Sequence, residues 1–332
     1  MQELIAAKKH FSRMGWLYVA AVAIIYALQM GIGFLLRLIK PEWLYDMNMN
    51  LLFSMAPMYL VAFPLLGLML KKCVPGERIE KRKMTAGQYT LSAIICIGLA
   101  YAANIVGVII TTIIGLFTGN PVENAVAGVV NSISPWAVLF YTVLCAPIME
   151  EFVFRKLIVD RAARYGQGVA VVISGLMFGL FHGNLNQFLY AAVIGMFFAY
   201  LYVKTGNLKI TISLHMLFNF IGGFLPTVLM RKIDIESYMV FAENGSASGI
   251  VELMRYKFGW FMLYGLLLLF VISMLITGIV LFIVFAAKRK FVFSPGQTSV
   301  PKELKLSIAL GNTGMAAFML FWIISIVAQL FG

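Results

Sequence analysis

Two adjacent carboxylates, Glu150 and Glu151, stand in the middle of an apolar run, and Arg155 follows Glu151 by four residues. Farther along come Phe178 and His182, again four apart, and then His215 and Asn219, four apart once more. Each of these polar groups lies in or beside a stretch greasy enough to cross a bilayer. A charged side chain at the centre of a membrane costs about 2.5–3.5 kcal/mol even on the lenient insertion scale, so such residues mark function. A glutamate, two histidines and an asparagine converging in a wet pocket suit peptide hydrolysis. The carboxylate takes a proton from water, and imidazole and amide groups stabilise the oxyanion. The set Glu150, His182 and His215 equally offers ligands for zinc. The sequence has no HExxH, which excludes the zinc helix of soluble metalloproteases.

Spacing divides the labour between the two acids. Successive helix positions differ by about 100°, so Glu150 and Glu151 point in different directions. Glu151 precedes Arg155 in the favourable order for an ion pair on one helical face. Glu150 has Phe154 at the same offset and no partner on its own helix. The expectation is that Glu151 holds Arg155 while Glu150 faces a polar cavity. The plainer alternative, both acids pairing with basic residues of the following loop, leaves Glu150 buried without a partner. A lone intramembrane histidine is most often an interhelical hydrogen bonder. Two of them beside an unpaired glutamate, with Asn219 one turn beyond His215, weigh toward a site. His10 lies in the amino-terminal leader and needs no special role. Phe178 is read as a wall of the cavity or a core aromatic, and Gly175, Gly179 and Gly183 as a stripe for close helix packing.

The elements that must position these groups follow from composition. The 332 residues are 61% hydrophobic and only 12% charged, with a mean hydropathy of +0.91. A soluble domain carries about 25% charged residues, so this is a polytopic membrane protein. Its apolar runs are long enough for helices and lack the alternation of a β-barrel. They are expected at about 15–36, 51–70, 89–117, 135–165, 169–183, 187–203, 207–230, 259–287 and 308–331, giving eight or nine transmembrane helices. The first run is long and lacks a small-residue cleavage signature, so it reads as a span rather than a signal peptide. The net charge of +12 sits in short loops, where it sets topology rather than binding nucleic acid. With the amino terminus inside, 20 of the 26 Lys and Arg face the cytoplasm. Cys73, Cys96 and Cys145 have no metal-type spacing and read as free thiols. Expected partners are the lipid bilayer and a peptide or membrane-protein substrate, with no nucleic acid.

Glu-Glu-x-x-x-Arg, Phe-x-x-x-His and His-x-x-x-Asn, in this order on successive helices, resemble the CPBP family of intramembrane proteases (CAAX proteases and bacteriocin-processing enzymes, the Abi group). The likeness covers roughly 135–226 and implies an all-α fold with a CPBP/Abi-type helical core at 135–230. It is flanked by an amino-terminal region of about three spans (1–134) and by an external loop with the carboxy-terminal spans (231–332). The resemblance implies that Glu150 is the water-activating base and that Glu151 and Arg155 are its supporting pair. His182, His215 and Asn219 then complete the site by binding the oxyanion or a metal. It admits both a zinc enzyme, with Glu150, His182 and His215 as ligands, and a metal-independent glutamate protease.

The resulting expectation is an intramembrane endopeptidase of the bacterial cytoplasmic membrane. Bacteriocin or signal-peptide processing and self-immunity are the roles the family suggests, and a generic substrate is favoured over a CAAX one. A non-catalytic scaffold on the same fold should have lost motif residues, and none are lost. A proton-coupled transporter should show paired halves with broken helices, and no repeat is seen. His182 should lie about 20 Å from the inner end of its span and His215 about 10 Å, at 1.5 Å per residue. The site is therefore expected in the cytoplasmic half of the membrane.

Overall fold

The computed structural model describes residues 1–122 and 125–331. Among these residues the secondary structure is helical, with no strand. Eight helices are long and apolar enough to cross a membrane. They are α1 (Gln2–Ile39), α2 (Met47–Cys73), α3 (Ala86–Thr118), α5 (Pro135–Tyr165), α7 (Leu185–Thr205), α8 (Leu208–Ile233), α11 (Phe258–Ala287) and α13 (Thr313–Phe331). The expected fifth run is a shorter apolar helix, α6 (Gln167–Phe181). Short helices fill the connections: α4 (Ala125–Ser132), α9 (Ile235–Glu243), α10 (Ala247–Tyr256) and α12 (Lys302–Leu310).

Two expectations are corrected. The basic leader is not a separate segment, because its helical turns run unbroken into the first span. The polar stretch after α8 is not a plain loop but carries α9 and α10. Their starts are capped by Asp234 and Ser246, whose side chains accept from the amides of Ser237 and Gly249. The Ser246 found in the Gly-Ser-Ala-Ser-Gly run is thus a cap.

The site-bearing helices α5 to α8 are set by local punctuation. Gly166, at φ 133°, ends α5 and starts α6. Asn184 caps α7 by accepting from the Gln187 amide at 2.9 Å. Gly206, in the left-handed region at φ 55°, then turns the chain into α8, which Asn207 caps. Helices α6 and α7 meet backbone to backbone. A Cβ on Gly175 would stand 2.6 Å from the Met196 nitrogen, and one on Gly179 would stand 2.7 Å from the Phe188 carbonyl oxygen. Gly183 does not extend this stripe, since it forms a left-handed turn at φ 65° beneath Trp322. Small residues let helices approach where lipid supplies no hydrophobic drive.

The basic loops gather at one end of the bundle. Glu77 N donates to Asp160 O, Arg82 N to Thr205 O, and Gln297 N to Arg164 O. Ser299 N donates to Glu3 at 3.0 Å. The links join the starts of α1 and α3, the end of α5 and the segment after α11.

Candidate active site

Helix α5 is not regular. It widens into π-helical turns over Val138–Cys145 and again over Glu151–Leu157, so Glu150 lies in the short α-helical piece between them. Such bulges shift side chains off the regular helical register and are frequent at functional sites. They also free carbonyl groups, which here find donors from other helices. Tyr18 of α1 donates to Val153 O at 2.7 Å, and Ser174 of α6 donates to Phe154 O at 2.7 Å. The glutamates are thereby fixed to their neighbours through the backbone on either side.

Pro147 explains a further link. In the first π stretch the Ala146 amide bonds to Tyr141 O, five residues back. The next acceptor in that series is Thr142 O, and its donor position is occupied by Pro147, which has no N–H. The Asn219 side chain of α8 fills the gap, donating from Nδ2 to Thr142 O at 2.7 Å. One amide hydrogen of Asn219 is therefore engaged in holding α8 against α5.

Glu151 and Arg155 form the expected i,i+4 pair. Oε1 lies 3.0 Å from Nη2, with both side chains wholly buried. The guanidinium also lies over the Phe178 ring at 4.5 Å and donates to Ser174 at 3.3 Å. His215 of α8 joins the two acids. Its Nδ1 lies 3.0 Å from Glu151 Oε1 and its Nε2 lies 3.6 Å from Glu150 Oε2. An ionised carboxylate only accepts, so Nδ1 donates to Glu151 and the other nitrogen is turned toward Glu150. Glu150 therefore has a partner after all, supplied by another helix. Its side chain is 17% exposed, unlike that of Glu151, and the 3.6 Å gap is longer than a hydrogen bond.

Among the described residues His182 makes no hydrogen bond or ion pair with this cluster. It caps the end of α6, and its Nδ1 lies 2.8 Å from the carbonyl oxygen of Phe178. A carbonyl only accepts, so Nδ1 carries the hydrogen and, in the neutral ring, Nε2 is an acceptor. Phe178 touches both histidines, edge-on to His182 at 4.8 Å and to His215 at 5.8 Å between ring centroids. Phe198 of α7 packs against His215 on another side, at 5.4 Å. Phe178 is thus a buried wall shared by His182, His215 and Arg155. His182 follows the last turn of α6 and His215 lies within α8, and both rings reach Phe178.

A zinc set requires three donors around one point. Among the described residues no three His, Cys, Asp or Glu side chains are gathered in this way. Of the three ligands suggested by the sequence, His182 bonds through Nδ1 to the Phe178 carbonyl and Glu150 already faces His215. The arrangement does not fit a zinc ion, and the chemistry derived below uses none. It is suited to moving a proton between Glu150 and a water held beside it.

Spacing did not reveal the Pro147–Thr142–Asn219 link, although a proline inside a predicted span is itself a signal that a carbonyl needs a donor. Likewise missed was Asn184-x-x-Gln187-x-x-Tyr190, a polar stripe at every third residue as α7 begins.

Residues 132–221 match the family described as type II CAAX prenyl endopeptidase Rce1-like. Over 177 residues the chain is 27% identical to the putative membrane peptidase YdiL of Bacillus subtilis, covering 52% of this chain and 69% of that protein. Over 115 residues it is 28% identical to the membrane-embedded CAAX protease MroQ of Staphylococcus aureus, covering 32% of this chain and 44% of that one. No solved structure matches. The matched segment contains both glutamates, Arg155, both histidines and Asn219, on α5, α6 and α8, and over that segment the chain is similar to membrane peptidases of the Rce1-like type.

Proposed function

We propose that the chain is a membrane-embedded endopeptidase in which Glu150 activates water. The observation that carries this reading is the pairing of a partly accessible Glu150 with His215, which is itself fixed by a buried Glu151–Arg155 pair. Glu150 takes a proton from water as the water oxygen bonds to the scissile carbonyl carbon and the carbonyl π electrons move onto oxygen. His215, oriented through Nδ1, faces the carboxyl group throughout. His182 directs its Nε2 lone pair at the water and so orients it. Collapse of the tetrahedral intermediate breaks the C–N bond, and the leaving nitrogen takes the proton back from Glu150. Glu151 and Arg155 touch no reacting atom and act by holding His215.

The substrate is a peptide or membrane protein that reaches the site within the bilayer. Bacterial peptide processing suits the two named relatives. With the basic loops in the cytoplasm, the amino terminus lies inside and the site opens on the cytoplasmic side. A scaffold that binds a membrane protein without cutting it is the second reading.

The test uses proteoliposomes and a library of internally quenched peptides, with and without a carboxy-terminal farnesyl group. Glu150→Gln keeps size and polarity but has no useful basicity. Turnover should fall by at least about 10²-fold, the lower end for a general base, with the protein still folded. Full turnover in that variant, or none in the wild type, overturns the reading. Chelation by phenanthroline should leave turnover unchanged, and a loss restored by zinc would replace this mechanism with a metal-dependent one.

A further inference from the structure

Resting on the peptidase reading, we propose that Tyr190 donates a hydrogen bond to the oxyanion of the tetrahedral intermediate. The case comes from a chain of donors whose directions are fixed. The Asn184 oxygen accepts from the Gln187 backbone amide at 2.9 Å, and its Nδ2 donates to the His182 carbonyl oxygen at 2.9 Å. Both partners are backbone groups of settled polarity, so the Asn184 amide has only one orientation. Its Nδ2 also donates to Gln187 Oε1 at 2.7 Å. That contact in turn orients Gln187, whose Nε2 donates to the Tyr190 hydroxyl oxygen at 2.9 Å. The phenol oxygen is thus an acceptor toward Gln187, and its own hydrogen points elsewhere. Among the described residues that hydrogen has no acceptor.

The phenol lies near the reacting groups. Its ring lies 6.1 Å from that of Phe218, the residue before Asn219, and Tyr190 and Glu150 are close enough to interact electrostatically. Other candidates for the oxyanion are wholly or partly engaged, and the second amide hydrogen of Asn219 is left to act beside the phenol. Asn219 has one amide hydrogen on Thr142 O, neutral His182 presents an acceptor, and Arg155 is held by Glu151 beneath Phe178. Tyr59 also lies within electrostatic range of Glu150, but no hydrogen bond fixes its hydroxyl among the described residues. A donor aimed in advance at the place where charge develops is what an oxyanion site requires. The chain beginning at the His182 carbonyl has the further consequence of tying that donor to the turn that carries His182.

The experiment measures kcat and KM in proteoliposomes on the library peptide that the wild type cleaves. Tyr190→Phe keeps the packing on Phe218 and should lower kcat by about 10²-fold while KM stays within about twofold, the pattern for loss of one oxyanion donor. Gln187→Met keeps the phenol but frees its hydrogen, and should lower kcat by about tenfold, the lesser loss expected when only preorganisation is removed. Tyr59→Phe, made for comparison, should leave kcat close to wild type. Melting temperatures report whether each variant is folded, and if Tyr190→Phe does not fold, Gln187→Met decides. Unchanged kcat in whichever variant decides, a loss confined to KM, or a loss in Tyr59→Phe in place of Tyr190→Phe overturns the assignment while leaving the peptidase reading intact. A wild type that cleaves no peptide overturns both.

Discussion

Glu151 and Arg155 lie with neither side chain exposed, at a depth where water cannot replace a missing partner. Replacing a buried pair by apolar residues is often tolerated, whereas removing one partner costs about 3–5 kcal/mol because a bare charge is left behind. Arg155→Ala should therefore lower folded yield and melting temperature together with turnover, and a stable, fully active variant would remove its supporting role. Asn219 admits a sharper test, because its partner is created by Pro147. Asn219→Leu leaves Thr142 O without its donor, at a cost of about 1–3 kcal/mol. Pro147→Ala restores a backbone N–H to that turn, so the double variant should regain about 1 kcal/mol or more relative to the sum of the single effects. Additive losses in thermal unfolding would mean that the Asn219 contact does not compensate for the proline.

At the scale of the element, the spans were legible because the bilayer imposes length and composition on each of them. The run expected at 187–203 is α7, Leu185–Thr205, and that at 89–117 is α3, Ala86–Thr118. The Glu151–Arg155 pair was legible too, being an i,i+4 contact within one helix. What the sequence hid is what depends on two helices at once. The His215 contact to Glu150 and the Asn219 bond to Thr142 join residues far apart in the chain, and the π-helical turns of α5 are held by donors from other helices. The glycine stripe was half legible: Gly175 and Gly179 lie in the α6–α7 seam, whereas the left-handed turn at Gly183 belongs to no helix face. Gly179→Val should wedge that seam open, because even a Cβ would meet the Phe188 carbonyl and the Ala192 Cβ at 2.7 Å. Overpacking of this kind costs about 1–3 kcal/mol, and it should lower turnover more than Gly31→Val, where nothing lies within 4 Å of an added Cβ. Equal effects of the two substitutions, read as melting temperature and kcat, would show that the seam does not position His182.

For the whole molecule, orientation decides which compartment supplies the substrate. Hydrogen bonds collect the leader of α1, the segment before α3, the end of α5 and the segment after α11 at one end of the bundle. Most of the Lys and Arg residues lie at that end, and the Arg231–Lys232 pair and the α9–α10 connection lie toward the other. Basic loops are retained on the cytoplasmic side, so that end should face inward. Cys73 is an exposed native thiol at that same end of α2, while Cys96 is buried. A membrane-impermeant maleimide should leave Cys73 unlabelled in intact cells and modify it in inside-out vesicles. Asn244→Cys, made in a Cys73→Ser background, should show the reverse, since Asn244 is exposed in the connection between α9 and α10. Labelling of Cys73 from outside intact cells would invert the bundle, and Glu150 would then act on substrates presented from the external face.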